Sequence, residues 1–168
     1  MKKYDKIIIL FISQGTIGKE LSKFATDLRG MLEVEKYEII YKLHPGEYDR
    51  WKAEYPWLIN KGILVVDQNI HDMHYYFSQA DIQVGIYSTA LYEGLAYHLR
   101  TYVLPLYGHH YLEELVELGI VKIIRYPNEL LECISIDDLR HQLNIDRLWQ
   151  PNSLNNMIMS INAIIKKT

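Results

Sequence analysis

The sequence has little of several features that each favour a particular class of protein. It contains one cysteine, Cys133, so no disulfide can form within the chain. Its 18 basic and 21 acidic residues give a formal net charge of -3, without the basic excess of nucleic-acid-binding proteins. No apolar run approaches the roughly 20 residues that a membrane-spanning helix needs. We therefore expect a globular protein located in the cytoplasm, without nucleic acid as a partner.

The apolar content is sufficient for one domain. Hydrophobic residues make up 49% of the 168 residues, and tyrosine is common, with 14 residues. The first apolar run, residues 7–12, is too short for a signal peptide and lacks a cleavage site, so it is interpreted as a buried strand. Cys133 lies in an apolar segment and is expected to be a buried structural thiol.

Short β-branched runs alternate with segments of helical spacing along the chain. Strands are predicted over residues 7–12, 37–43, 62–66, 81–86, 101–104 and 121–124. Helices are predicted over residues 20–32, 48–54, 71–79, 88–97, 110–118 and 152–167, and a connection over 137–153. This alternation predicts one α/β domain over residues 1–168. Its fold is a doubly wound, Rossmann-like parallel sheet of about six strands in the order 3-2-1-4-5-6, with helices on both faces.

Ligands of such sheets bind beyond the carboxyl ends of the strands, where the winding direction reverses between strands one and four. The loop after strand one contains Gly15, Thr16 and Gly18 just before a helix. Its glycines allow a ligand to approach the backbone, and the helix N-terminus attracts phosphate. The spacing matches neither a P-loop nor a dinucleotide fingerprint, and a purely structural turn explains the loop equally well.

The loops after strands two and four carry further polar groups. His44, followed by the rigid Pro45, is placed to aim its imidazole at a phosphate or a leaving group. Ser88 and Thr89 offer hydroxyls at the start of a helix, where backbone N–H groups are free. Glu93 shares a helix face with Thr89, and its carboxylate could accept hydrogen bonds from ribose hydroxyls. The alternative is a structural serine cap, with Glu93 interacting only with the helix dipole.

Other polar residues are predicted to border the same cleft, or are interpreted as solvated. His71 and His74 lie three apart on a helix, but no third ligand is evident, so neither a metal nor a cofactor is expected. The possible cleft residues are Asp67, Gln68, Tyr87 and His109.

Four segments together resemble the C-terminal domain of GT-B glycosyltransferases. They are GILVVD (62–67), IHDMHYYFSQAD (70–81), STALYEGLAY (88–97) and TYVLP (101–105). The motifs KLHP (42–45) and YST (87–89) are similar to those of a narrower group. That group contains bacterial capsule and polysialic-acid transferases and CDP-glycerol glycerophosphotransferases, which use cytidine-nucleotide donors. The resemblance covers residues 6 to 125.

The resemblance implies a role for each matching residue. His44 would contact the donor phosphate or assist its departure as the catalytic residue, Ser88 and Thr89 would hold the phosphates, and Glu93 would bind the ribose. Thr89 stands where these families have the second of two serines. The substrate would be a CMP-, CDP- or UDP-linked donor, used in bacterial surface polysaccharide synthesis.

A complete GT-B enzyme has a second domain that binds the acceptor, and 168 residues leave no room for it. The chain is therefore expected to be an excised donor domain, a half that needs a partner subunit, or a remnant. It would be inactive alone and would reach a membrane only through that partner. Two alternatives remain open: a UDP-N-acetylglucosamine 2-epimerase-like domain, and a non-catalytic interaction domain that uses its tyrosine-rich face.

Overall fold

Six parallel strands form one sheet in the computed structural model, which describes residues 6–136, 148 and 152–165. The strands are β1 (Ile7–Ile12), β2 (Tyr37–Lys42), β3 (Ile63–Val66), β4 (Ile82–Gly85), β5 (Arg100–Val103) and β6 (Val121–Ile123). Their order is β3-β2-β1-β4-β5-β6, and every neighbouring pair is parallel. The predicted fold class and strand order are confirmed.

Helices cover both faces of this sheet. They are α1 (Gly18–Met31), α2 (Trp51–Glu54), α3 (Met73–Gln79), α4 (Thr89–Leu95), α5 (Glu113–Glu117), α6 (Pro127–Ile136) and α7 (Ser153–Ile165). Short 3-10 turns span Pro45–Glu47, Pro56–Leu58 and His109–Leu112. Helices α1 and α6 pack on one face, and α3, α4 and α5 pack on the other.

Strand β1 lies at the centre and is covered on both sides. Ile9 and Phe11 point into the core beneath α1, while Ile8, Leu10 and Ile12 belong to the core beneath α3 and α4. Successive side chains of a strand alternate between faces, so a strand covered on both faces must be apolar throughout. This explains the unbroken apolar run at residues 7–12.

The polar side chain of Gln83 fixes how closely α4 approaches β4. Gln83 is 0% exposed, and its Nε2 donates to the carbonyl oxygen of Leu91 (2.7 Å) and to Thr101 Oγ1 (2.8 Å). Gly94 of α4 lies directly against the Gln83 amide, with no space for a Cβ atom. The close packing sets the position of the first turn of α4 at the edge of the sheet.

Helix α6 is an element that the sequence analysis did not predict. It begins at Pro127, a residue favoured in the first helical turn because it has no N–H to leave unpaired. Leu130, Cys133 and Ile134 follow at helical spacing and are buried against the core of α1. The thiol of Cys133 is buried, as expected.

Helix α7 has a different environment from the other helices. None of its residues is buried, and several of its large apolar side chains are exposed: Leu154, Met157, Ile158, Met159, Ile161, Ile164 and Ile165. The predicted terminal helix is thus confirmed over residues 153–165. The predicted connection over 137–153 lies outside the described residues except for 148, 152 and 153. In the described parts of the chain, no helix is long and apolar enough to cross a membrane.

Candidate functional site

A cavity of about 430 Å³ opens at the carboxyl edge of the sheet, where β1 and β4 are neighbours. Its walls come from the loops after β1, β2 and β3 and from the start of α4, and include Ser13, His44, Asn69 and Ser88. The volume falls within the range of about 300–1,000 Å³ typical of small-molecule sites. The loops expected to converge therefore do so.

His44 and Pro45 line this cavity, and the backbone around them fixes the imidazole ring. His44 caps the 3-10 turn Pro45–Glu47, and its Nδ1 accepts a hydrogen bond from the N–H of Gly46 at 3.1 Å. Because Nδ1 is an acceptor here, the proton of the neutral ring resides on Nε2. Nε2 is thus the atom that can donate a hydrogen bond to a ligand oxygen.

The carboxylate of Glu47 connects three segments beside the cavity. It is 0% exposed and accepts hydrogen bonds from Ser13 Oγ (3.0 Å), from Tyr55 OH (2.9 Å) and from the N–H of His44 (2.8 Å). Tyr41 OH completes the network, and its single proton is shared between Ser13 Oγ at 3.2 Å and the carbonyl oxygen of Gly18 at 3.1 Å. A buried carboxylate is tolerated because donors surround it.

The two tyrosines of this network stay protonated. Burial raises the pKa of Tyr41 well above its ordinary value of 10.0. Burial, together with the hydrogen bond to Glu47, likewise raises the pKa of Tyr55. Both phenols are hydrogen-bond donors at neutral pH, and their raised pKa extends the protonated state to more alkaline pH.

Lys42 lines the cavity at the end of β2. Its Nζ donates to Tyr48 OH at 2.6 Å and to the carbonyl oxygen of Leu43 at 3.2 Å. Tyr48 OH in turn donates to Asn69 Oδ1 at 2.6 Å. The hydrogen bonds form a chain from β2 to the loop after β3.

Ser88 is the N-cap residue of α4, as predicted, and also lines the cavity. Its Oγ accepts a hydrogen bond from the N–H of Ala90 at 3.3 Å. Thr89 and Glu93 are exposed on α4 and are not among the cavity-lining residues. Their assigned roles in phosphate and ribose binding stay predictions.

The loop after β1 contributes to the site differently from the expected phosphate loop. Gly15, Thr16 and Gly18 do not line the cavity, whereas Ser13 does. The missing side chain of Gly18 leaves room for the Glu47 carboxylate and the Tyr55 ring. The space beside this glycine is therefore filled by protein side chains and not by a ligand.

The remaining predicted cleft residues lie around the cavity rather than in it. Asp67 and Gln68 line a second cavity of about 360 Å³, which shares Ile70 and His71 with the first. Asp67 Oδ2 also accepts a hydrogen bond from Trp51 Nε1 at 3.0 Å.

Tyr87 and His109 are held by other parts of the protein. Tyr87 OH lies 2.6 Å from Thr16 Oγ1, and the Tyr87 ring packs against Gly108. His109 Nδ1 lies 2.9 Å from the carbonyl oxygen of Leu106. Both residues are half-buried and outside the cavity lining.

The histidines of α3 and the loop before it contact aromatic rings. His71 stacks on Tyr75 with ring centroids 3.9 Å apart, and His74 Nδ1 lies 3.0 Å from Tyr97 OH. Across the described ranges, no cluster of three or more His, Cys, Asp or Glu side chains could hold a metal ion.

Glu47 and Lys42 belong to the site but were not predicted as site residues. Glu47 stands three residues after the cap residue His44, which is the spacing of a capping box and the signal that was available in the sequence. Lys42 carried no such signal, because its contact with Tyr48 depends on the folded loop.

The parallel sheet and the cavity at its switch point define the chain as a Rossmann-like α/β domain. Solved structures share this fold. One is the UDP-GlcNAc 2-epimerase of Methanocaldococcus jannaschii in complex with UDP-GlcNAc and UDP (TM-score 0.56, 16% identity). Others are the glycotransferase of kitacinnamycin (TM-score 0.53, 15% identity) and the spinosyn rhamnosyltransferase SpnG complexed with thymidine diphosphate (TM-score 0.52, 11% identity).

These matches cover most of this chain but a smaller share of the other proteins. They include 82%, 80% and 73% of this chain, and 40%, 35% and 32% of the epimerase, the kitacinnamycin protein and SpnG respectively. No protein-family model and no curated protein matches the sequence. The fold is therefore shared with part of each glycosyltransferase and with part of a nucleotide-sugar epimerase.

Proposed function

We propose that this chain binds the nucleotide-linked donor of a glycosyl or glycerol-phosphate transferase, as the donor half of a GT-B enzyme. The observation that carries the proposal is the cavity at the switch point, which brings His44 and Ser88 together from two loops. Ligands of doubly wound sheets bind at this place. In the related folds, the epimerase holds UDP-GlcNAc and UDP, and SpnG holds thymidine diphosphate.

In this proposal, the cavity stabilises the charge of the departing nucleotide without a metal ion. His44 Nε2–H donates to a phosphate oxygen, and the Ser88 hydroxyl supplies a second hydrogen bond. Donors already held in position lower the energy of developing negative charge because they need no reorganisation. The buried Glu47 holds the His44 backbone at 2.8 Å, which keeps the first donor in place.

The finer proposal concerns the donor and the pathway. The His44-Pro45 and Ser88-Thr89 motifs favour a cytidine-linked donor and a role in bacterial surface polysaccharide synthesis. Thr89 and Glu93 would then contact parts of the donor that extend beyond the cavity. The acceptor would bind to a further domain or to a partner subunit.

Isothermal titration with CMP, CDP, UDP and GDP tests donor binding. We expect a cytidine nucleotide to bind most tightly, and His44→Ala to weaken its binding by about tenfold through loss of the Nε2 donor. His74→Ala removes a histidine that does not line the cavity and should leave affinity unchanged. The proposal fails if no nucleotide binds at millimolar concentration.

The second candidate function is 2-epimerisation of a nucleotide sugar, because part of the epimerase from Methanocaldococcus jannaschii shares this fold. An epimerase converts the free nucleotide sugar, whereas a transferase needs an acceptor. Incubation of UDP-GlcNAc with the protein, followed by NMR, separates the two. Appearance of the 2-epimer without acceptor would support the epimerase and contradict the transferase proposal.

A further inference from the structure

Lys42 occupies an unusual position for a lysine, at the end of a central strand. It pairs with Ile12 of β1 and with Val66 of β3, so its backbone is part of the sheet. Ile40, two residues earlier, belongs to the core beneath α3 and α4. Because residues two apart share a strand face, the Lys42 side chain lies on the same side, beneath the cavity that it lines.

The ammonium group of Lys42 is buried without a counter-ion. The residue is only 6% exposed, although lysines usually extend their charge into water. It forms no ion pair with any residue that the structure describes. Asp72, the one acidic residue among the described lining residues, uses Oδ1 to accept from the N–H of Tyr75 at 3.0 Å.

The hydrogen bonds of Lys42 leave one donor uncommitted. An ammonium group has three N–H bonds, and two of them are directed to Tyr48 OH and to the carbonyl oxygen of Leu43. Tyr48 OH is itself oriented by Asn69 Oδ1, so Nζ is held by a fixed chain of hydrogen bonds. Within the described part of the chain, the third N–H bond has no acceptor.

Packing alone does not account for a charge at this position. Nζ lies at the hydroxyl end of the Tyr48 ring, 5.0 Å from its centroid, so its contact with this residue is the hydrogen bond already described. An uncharged side chain of similar length would fill the same space without any desolvation cost. The charge is therefore better explained by a negative group that enters the cavity.

We propose that Lys42 is the anion-binding residue of the cavity and contacts an oxyanion of the bound ligand. The inference rests on the proposed function, because it assigns a ligand group to the same cavity. The oxyanion is a phosphate of the nucleotide or a carboxylate of the transferred sugar. Either group would accept the free N–H bond in a charge-assisted hydrogen bond.

The test compares wild-type protein, Lys42→Met and the control Lys61→Met, in which an exposed lysine is lost. Titrations use cytidine, CMP, CDP and pyrophosphate, together with UDP-glucose and UDP-glucuronic acid, which differ in one carboxylate. A phosphate contact predicts that Lys42→Met weakens CDP and pyrophosphate binding by about tenfold or more, while cytidine binding is unchanged. A carboxylate contact predicts that only the preference for UDP-glucuronic acid over UDP-glucose falls.

Other outcomes would overturn the inference. Equal affinity of wild type and Lys42→Met for every anionic ligand that binds would show that the charge has no ligand role, while donor binding would stand. If Lys42→Met lowered the affinity for uncharged cytidine as much as that for the anionic ligands, the effect would be structural and the inference would fail. The protein could also bind pyrophosphate but no nucleotide. If Lys42→Met then abolished pyrophosphate binding, the anion site would be supported and the donor proposal would be rejected. Lys42→Gln, which keeps a polar group, replaces Lys42→Met if the latter does not fold.

Discussion

Glu47 joins the segments around the cavity although it does not line the cavity itself. Its two oxygens receive hydrogen bonds from the loop after β1, from the cap residue His44 and from Tyr55. Each of these groups would lose its partner inside the protein if the carboxylate were removed. An unpaired buried donor costs about 1–3 kcal/mol, so the network has a large effect on stability for a single side chain.

Glu47→Gln is expected to destabilise the protein by about 2–4 kcal/mol. Both carboxylate oxygens act as acceptors, so the amide nitrogen of glutamine must face one of the three donors. Urea unfolding measures the change. Glu54→Gln is the matched control, because Glu54 is exposed and, among the described residues, forms an ion pair only with Arg50 at 3.0 Å. An effect for Glu47→Gln as small as that of the control would contradict the network.

At the scale of elements, the packing of α4 on β4 determines where Ser88 lies. Gly94 allows the helix to approach the sheet as far as the buried Gln83 amide. A glycine inside a helix usually only destabilises that helix, because glycine has the lowest helix propensity after proline. The position of the cavity wall thus depends on a residue with no side chain.

Gly94→Ala is expected to destabilise the protein by about 1–3 kcal/mol, despite the better helix propensity of alanine. The added Cβ atom would overlap the Gln83 side chain, which two hydrogen bonds hold in place. Gly30→Ala in α1 is the control, since its added Cβ would have no other side chain or element within 4 Å. We expect Gly30→Ala to raise the free energy of unfolding by about 0.5–1 kcal/mol. Unfolding in urea measures both variants.

The sequence was sufficient to predict the order of the strands, but it predicted neither helix α6 nor all of the contacts between elements. Apolar runs and turns predicted the six strands and the switch point, because burial on both faces of a parallel sheet leaves a direct pattern. The role of Gly94 was not predictable, because it depends on an atom of Gln83 that lies on another element. For the same reason Gly18 was assigned to a ligand, whereas its space is filled by Glu47 and Tyr55.

At the scale of the whole molecule, the buried tyrosines make the stability of the protein fall at alkaline pH. Burial raises the pKa of Tyr41 and Tyr55 above the ordinary value of 10.0. Below pH 10 both phenols are protonated in the folded and unfolded states, so they add no pH dependence. Above pH 10 the unfolded chain releases these protons and the folded protein retains them, so stability falls as pH rises.

Tyr55→Phe is therefore expected to reduce the slope of stability against pH above pH 10. One tyrosine contributes up to about 1.4 kcal/mol per pH unit, a limit that is approached as pH rises beyond 10, and the variant lacks this contribution. Urea midpoints between pH 8 and pH 11 give the slope, independently of the lower absolute stability of the variant. The exposed Tyr126→Phe should retain the wild-type slope. Identical slopes for the wild type and both variants would contradict the raised pKa of Tyr55.

Removal of residues 152–168 is expected to change the free energy of unfolding by less than about 1 kcal/mol. No residue of α7 is buried, so its loss exposes little of the core. A chain that ends at residue 126 is the contrasting variant, because it also loses α6, whose Leu130, Cys133 and Ile134 are buried. It should unfold or lose most of its stability. A large effect of the shorter deletion would show that α7 packs on the domain.

The central place of β1 has a consequence for synthesis on the ribosome. β1 emerges before the other five strands of the sheet, and β2 can pair with it early. The other edge of β1 stays unpaired until Ile82–Val84 are synthesised. These residues pair with Ile9–Phe11 and are translated more than 70 residues later. During this interval the nascent chain presents an apolar strand with an open edge, which favours wrong pairing and association with other chains. Translation rate and chaperone supply should therefore influence the yield of this protein.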